Sequence, residues 1–297
     1  MQLAVSGEIV PRDLAAVDDT VAAKIAELGF RGVGAHFLGD PETLPRASLR
    51  RARQIFADRG LQIVQLSGWH PLLVHADAAV RRAGVRTLQH ALRAAADCGA
   101  HMVISGPGSL NPRGHWWPHP DNHTPSAEDA LVASLAEVVA ACEEYGVPIA
   151  LECHVTSTLD TPTRVRRVVE RVASPWIKVS LDPVNFIADL QTLYNTSSLL
   201  NQLFDLLGPY IIAAHIKDAY AENRLVVHIS ETVPGTGLLD FDTFFQRFEA
   251  LLPDGYAIIE HLPESQIALA HAFVAGKLAE LDRSVETTSA SQQEESS

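Results

Sequence analysis

The 297-residue chain is long enough for one large α/β domain or two small ones, and with 47% hydrophobic and 20% charged residues it is ordinary globular material able to bury a sizeable core. A formal net charge of −13, from 36 acidic against 23 basic residues, argues against a nucleic-acid backbone as partner, because phosphate binding needs clustered Lys and Arg. No apolar run reaches the roughly 18 residues of a membrane span, the opening LAVSG has no basic leader, and three cysteines without zinc-type spacing fit a reducing cytoplasm.

A short apolar run and a helical pattern alternate along the chain. The run 3–6 leads to a helix over 18–28, 32–37 to 42–59, and 61–67 to 76–98. The run 101–105 precedes a helix over 127–145, with Ser126 as N-cap and Asp129 three positions on. The run 147–153 leads to 161–172, and 177–182 to 186–207. The run 210–216 is followed by a loop and a helix over 241–252, and 256–260 by a helix over 264–281. Strict alternation implies a parallel sheet, and this number of units in one chain predicts a single-domain (β/α)8 TIM barrel over 1–283. The competitor, an open doubly wound sheet, lacks its Gly-rich first turn, since SGEIVPRD contains no G-x-G-x-x-G. The polar stretch 284–297, SVETTSASQQEESS, has no periodicity and is expected to be a short disordered tail.

Two irregular stretches stand out. The loop 106–125, GPGSLNPRGHWWPHPDNHTP, holds Arg113, His115, Trp116, Trp117, His119 and His123, which suit sugar stacking and hydroxyl recognition or, equally, an oligomer contact. The stretch 219–239 contains PGTG and reads as a lid or hinge.

The last four apolar runs each end in a metal-type ligand: Glu152 after VPIAL, Asp182 after WIKVSL, His215 in YIIAAH and Glu260 in YAIIE. Polar groups at the end of a buried run call for a partner. In a barrel all strand carboxyl ends face one mouth, so these four side chains converge. Three carboxylates sharing a mouth repel unless protonated or bridged by a cation, and with one imidazole they suit a divalent ion: manganese first, with cobalt, magnesium or zinc admitted. Taken singly, Glu152 or Glu260 could instead pair with Lys217, and Asp182 before Pro183 could start a turn. His154 is a substrate contact, a ligand or a helix-dipole partner. His36 and His70 lie at strand ends, His70 beside a pocket wall at Trp69, with packing an equal account of both. His261 should face away from Glu260, and His90 and His101 are structural. Cys153 alternates away from the site and reads as a core thiol.

The motifs LECH at 151–154, SLDPVN at 180–185, HIKD at 215–218, PGTG at 234–237 and AIIEH at 257–261 resemble, in order and spacing, the sugar phosphate isomerase/epimerase superfamily of xylose isomerase-like barrels. The resemblance covers the carboxyl-terminal half by motif and the rest only by strand–helix pattern. It implies metal ligation by Glu152, Asp182, His215 and Glu260, with Glu152 and Glu260 as base and acid on opposite faces of a sugar. Asn185 stands where the family usually has His; Asn can hydrogen-bond a hydroxyl but not relay a proton. Arg224 is a loose match to the family's substrate arginine after the strand-seven His.

Such a site supports proton abstraction beside a carbonyl, with the ion as Lewis acid for the enediolate. The expected function is a divalent-metal-dependent isomerase or epimerase of a sugar, with His154, Asn185, Lys217, His70, Trp116 and His119 as substrate contacts. Lys217 would stabilise oxyanion charge or pair with Asp218. A lyase on a ketoinositol or 3-keto-glycoside is the alternative, with His154 or a loop histidine as the extra acid. A base-excision endonuclease of the same superfamily would need a strand-six His that is Asn185 here. A non-catalytic barrel would be indifferent to chelators. PGTG without nearby Lys or Arg favours a non-phosphorylated carbohydrate. A cytoplasmic homo-oligomer, dimer or tetramer, without nucleic-acid or membrane partner completes the expectation.

Overall fold

The computed structural model describes residues 1–69 and 71–294, with side chains through Leu281. Its strands are β1 (Gln2–Gly7), β2 (Gly32–His36), β3 (Gln62–Ser67), β4 (Met102–Ser105), β5 (Ile149–Leu151), β6 (Ile177–Leu181), β7 (Ile211–Ile216), β8 (Asp218–Ala221), β9 (Ile229–Thr232) and β10 (Tyr256–Leu262). All but β8 and β9 pair in parallel and close into a barrel in the order β1-β2-β3-β4-β5-β6-β7-β10 and back to β1. The (β/α)8 barrel expected from the alternation is therefore the fold.

The outer helices are α1 (Asp19–Glu27), α2 (Arg46–Ala57), α3 (Ala78–Cys98), α4 (Pro125–Tyr145), α5 (Pro162–Val172), α6 (Leu190–Leu193), α7 (Thr196–Leu207), α8 (Phe241–Leu251) and α9 (Glu264–Glu294). Their boundaries follow side-chain caps. Helix α4 is capped by Thr124, whose hydroxyl accepts from Ala127 N, and not by Ser126; Pro125 at the first position suits a helix start. The single helix expected over 186–207 is broken: Asp189 caps α6 by accepting from Thr192 N, and the chain restarts at Asn195. Helix α9 runs through Glu294, so that it includes most of the polar stretch 284–297. Residues 295–297 of the expected tail lie outside the described residues.

The barrel interior is filled by Ala4, Val64, Met102, Ile104, Ala150, Ala213 and Ile258, with Ile212 and Tyr256 packed against them. A larger cluster of Leu, Val, Ile and Phe side chains fills the space between strands and helices. Alternation of small and large residues lets the plug close, and it leaves the layer above, toward the carboxyl ends, to polar side chains. Cys153 is buried, as expected of a core thiol, as are Cys98 and Cys142, and burial pushes the Cys153 thiol far above its ordinary value.

The stretch after β7 is not irregular, as its composition suggested. Asp218–Thr232 to Ala221–Ile229 pair antiparallel, making β8 and β9 a hairpin over the barrel mouth. Its anchor is Asp218, whose carboxylate accepts backbone N–H groups from Ala219 (2.8 Å), Gly235 (3.0 Å), Gly237 (2.7 Å) and Leu239 (2.9 Å). The amides of PGTG thus hold this carboxylate. Gly237 is required there, because a Cβ would lie 2.3 Å from Asp218 Oδ1 and 2.4 Å from Ala219 O. Replacing Asp218 by Ala would strand several buried donors, and stability should fall by on the order of 3 kcal/mol or more. Urea unfolding measures it, and a variant within about 0.5 kcal/mol of wild type would show that the loop finds other partners.

Candidate metal centre

Each ligand-type side chain sits where its strand leaves the barrel. Glu152 and Asp182 directly follow β5 and β6, His215 is the penultimate residue of β7, and Glu260 lies late in β10. One donor atom from each lies within 4.8 Å of the others. His215 Nδ1 is 3.0 Å from Glu260 Oε1, 3.5 Å from Glu152 Oε1 and 3.8 Å from Asp182 Oδ2. Asp182, His215 and Glu260 are buried, and Asp182 Oδ2, His215 Nδ1 and Glu260 Oε1 make no well-directed hydrogen bond among the described residues. Their closest charged contacts are ion pairs, and a convergent set of three oxygens and a nitrogen has the donor chemistry that fits a shared divalent cation.

Lys217 adds a fixed positive charge on the same oxygens. Its buried Nζ lies 2.6 Å from Asp182 Oδ2, 2.8 Å from Glu260 Oε1, 3.5 Å from Glu231 Oε1 and 3.8 Å from Glu152 Oε1. Asp218, the neighbour considered as its partner, is turned into the PGTG amides instead. Burial opposes charge throughout this cluster but loses to the pairing. It lowers the Lys217 pKa, and Asp182, Glu260 and Glu152 more than reverse that, leaving the ammonium well above its ordinary range. Burial likewise lowers His215, and Glu260 and Glu152 hold the imidazole well above its ordinary value. Burial raises Glu260 and Asp182, yet His215 and Lys217 keep Glu260 well below the carboxylate range, and Lys217 keeps Asp182 below it.

A cavity of about 940 Å³ opens above these groups. Among the expected substrate contacts, His154, Asn185, Lys217 and Trp116 line it. Asn185, on a 3-10 turn over Val184–Phe186, donates from Nδ2 to Glu152 Oε1 at 3.2 Å. His154 Nδ1 is tied to Thr156, 2.8 Å from its hydroxyl and 3.1 Å from its amide; burial lowers the ring's pKa. Trp116 packs edge-on to His154, centroids 6.3 Å apart. His119 is not brought to the site: its Nδ1 accepts from Asp121 N at 3.2 Å and starts the 3-10 turn Pro120–His123. His123 pairs with Asp160 and Trp117 lies exposed under Arg113, so the loop places Trp116 alone of these residues in the cavity wall. Arg224 pairs with Glu222 on the hairpin. His70 lies outside the described residues, and His36 and Trp69 line the cavity.

Three residues escaped the sequence reasoning. Gln65 of β3 lies 2.9 Å from His215 Nε2. Glu231, on β9, bridges Lys217 and His261; the alternating ISET that carries it was hidden in a presumed loop. His261, expected to face away, lines the cavity 3.9 Å from Glu260 Oε1. The reason is a bulge: β10 advances from Ile259 to Leu262 while β1 advances from Val5 to Gly7, and His261 has a positive φ of 60°. Strict alternation fails there.

The fold and site together define a (β/α)8 barrel with a carboxylate–imidazole cluster at its carboxyl-terminal mouth. Residues 22–277 match the family model described as xylose isomerase-like TIM barrel, and the chain belongs to that family. No curated protein sequence matches it. Solved structures share the fold at low identity. The 3-keto-D-glucoside 4-epimerase YcjR from E. coli is 18% identical with a TM-score of 0.69, over 93% of this chain and 99% of that one. An L-ribulose 3-epimerase is 19% identical with a TM-score of 0.73, over 97% and 98%. A xylose isomerase-like barrel protein from Mycobacterium smegmatis, in complex with magnesium, is 16% identical with a TM-score of 0.69, over 94% and 96%.

Proposed function

We propose that the chain is a divalent-metal-dependent isomerase or epimerase of a non-phosphorylated sugar or sugar derivative, working by proton abstraction beside a carbonyl. The observation that carries this is the convergence of Glu152, Asp182, His215 and Glu260 on one point, with Glu152 and Glu260 lining the cavity above it. These four side chains would hold a divalent ion, with manganese favoured by the oxygen-rich set and magnesium, cobalt and zinc compatible with it. When bound, the ion supplies Lewis-acid polarisation of a carbonyl oxygen.

The protein's own groups do the rest. Glu152 and Glu260, both lining the cavity, would act as base and acid, one removing a proton from one face of the sugar and the other returning one on the opposite face. Asn185 orients Glu152 and presents its amide to a hydroxyl, while His154 and Trp116 form the wall against which the ring lies. Lys217 stabilises negative charge that develops on the substrate oxygen. Glu231 holds that ammonium from the hairpin side, at 3.5 Å. The epimerases among the structural neighbours act on keto-sugars, which agrees with this chemistry. The second reading is a lyase on a 3-keto-glycoside or ketoinositol. The cavity position of His154 favours it, since elimination needs an acid for the leaving group besides the two glutamates.

Purified protein should carry or take up about one divalent ion per chain. With that ion it should exchange solvent deuterium into the carbon beside the carbonyl in one or more of a panel of ketoses, ketoinositols and keto-glycosides. Loss of exchange on chelation and its return with manganese are expected. Exchange that persists in the chelated protein, or no ion uptake at millimolar manganese, would end this proposal.

A further inference from the structure

We infer that Gln65 is a positioning residue for the centre: its carboxamide oxygen accepts the Nε2–H of His215 and so fixes the tautomer that turns the Nδ1 lone pair toward a divalent ion. The inference rests on the metal-centre reading above and names a residue outside the ligand set.

Three observations support it. The first is which face of His215 meets which partner. Nδ1 is the nitrogen that lies 3.0 to 3.8 Å from the three carboxylate oxygens, and Nε2 points the other way, 2.9 Å from Gln65 Oε1. A neutral imidazole carries one ring proton and can bind an ion only through the other nitrogen. In the neutral, ion-bound ring, an acceptor at Nε2 therefore selects the form in which Nδ1 is free for the ion. Ser180 Oγ, 3.4 Å from the same nitrogen, can donate or accept and does not decide the matter.

The second is how β3 delivers this side chain. In a regular strand, Val64 and Gln65 would face opposite sides of the barrel wall. The pairing of β2 with β3 steps from Val33–Ile63 to Gly34–Gln65, so Val64 is an extra residue on β3. That bulge lets both residues point inward, Val64 into the apolar plug and Gln65 into the polar layer above it. Room for the carboxamide comes from β2: a Cβ on Gly34 would lie 3.0 Å from Gln65 Nε2 and 2.7 Å from the Ser6 Cβ. A bulge and a buried amide on β3 and a glycine on β2 are thus spent on one contact across the barrel.

The third is charge. The cluster already contains Glu152, Asp182 and Glu260, with Glu231 near Lys217. A carboxylate behind His215 would add a further negative charge to a buried, crowded site, whereas a carboxamide orients the ring without one.

The test uses the full chain. Manganese affinity is measured by calorimetry for wild type, Gln65→Leu and Gln65→Glu, and the His215 tautomer is read by long-range proton–nitrogen NMR on the zinc-loaded wild type. Gln65→Leu, which removes the acceptor at similar volume, should bind manganese about 10- to 100-fold more weakly. Gln65→Glu, which keeps an acceptor at the cost of a further negative charge, should bind manganese more tightly than Gln65→Leu. The zinc-loaded protein should show the His215 proton on Nε2, a result independent of any substitution. Unchanged affinity in Gln65→Leu, or a proton on Nδ1 in the loaded wild type, would overturn the assignment while leaving the metal centre intact. A wild type that binds neither ion would overturn both.

Discussion

Glu152→Gln should fold like the wild type and lose turnover by about 10³-fold or more. Glu152 is the most accessible of the four cluster side chains, 13% exposed against 0% for Asp182 and His215 and 6% for Glu260. Its Oε1 accepts the Asn185 amide at 3.2 Å, a contact that a carboxamide of the same shape can keep through its oxygen. Folding should therefore change by no more than about 1 kcal/mol. What the amide cannot do is accept a proton from carbon, and it is a poorer donor to a hard cation. Two measurements separate these losses. Elemental analysis reports whether the variant still holds its ion, and deuterium exchange reports whether the proton-abstraction step survives. Full exchange in a variant that retains the ion would take Glu152 out of the chemistry and leave Glu260 to act alone.

How much of this was legible in the sequence depends on how each side chain is aimed. Glu152, Asp182, His215 and Glu260 could be found because each closes an apolar run, and parallel strands in a barrel deliver all such positions to one mouth. Gln65 sits in QIVQLS, where alternation gave no sign that it faces inward; only the bulge at Val64 aims it. His261 was misassigned for the same physical reason at the bulge of β10. Glu231 lies on a hairpin whose exposed tip, Leu225, Val226 and Val227, broke the polar–apolar rhythm that would have marked its strands. PGTG reads from its Pro and Gly content as a lid or hinge, and nothing in its composition shows that the Gly235 and Gly237 amides hold the carboxylate of Asp218, seventeen or more residues earlier. His119 shows the converse error: residue type suited a sugar site, but a local turn claimed its ring nitrogen. Barrel architecture follows from periodicity, whereas bulges and insertions decide which neighbours of the ligands take part.

Lys217→Met is the substitution that should cost stability most, about 3 to 5 kcal/mol in the ion-free protein. The methionine fills the stem's volume, so the loss is one of charge. Without the ammonium, Asp182 and Glu260 lose contacts at 2.6 and 2.8 Å while remaining buried against Glu152. The pH dependence has a definite sign. In the wild type Asp182 and Glu260 are held below their ordinary values, against burial, by Lys217 and His215. Depressed carboxylates contribute stability that is present above their unfolded pKa and lost as pH falls through the folded one. The gap between wild type and variant should thus be widest near pH 7 and narrow below about pH 4, where unfolded carboxylates take up protons. A divalent cation restores positive charge to the same oxygens, so manganese should raise the variant's melting temperature more than the wild type's. If Lys217 stabilises the substrate oxygen as proposed, turnover in the manganese-loaded variant should still fall by on the order of 10²-fold, because the ion does not replace that ammonium. Urea and thermal unfolding at both pH values, with and without manganese, test the first part, and exchange kinetics test the second. Equal stability of the two proteins, together with equal shifts on ion addition, would mean that Lys217 does not neutralise this cluster in solution.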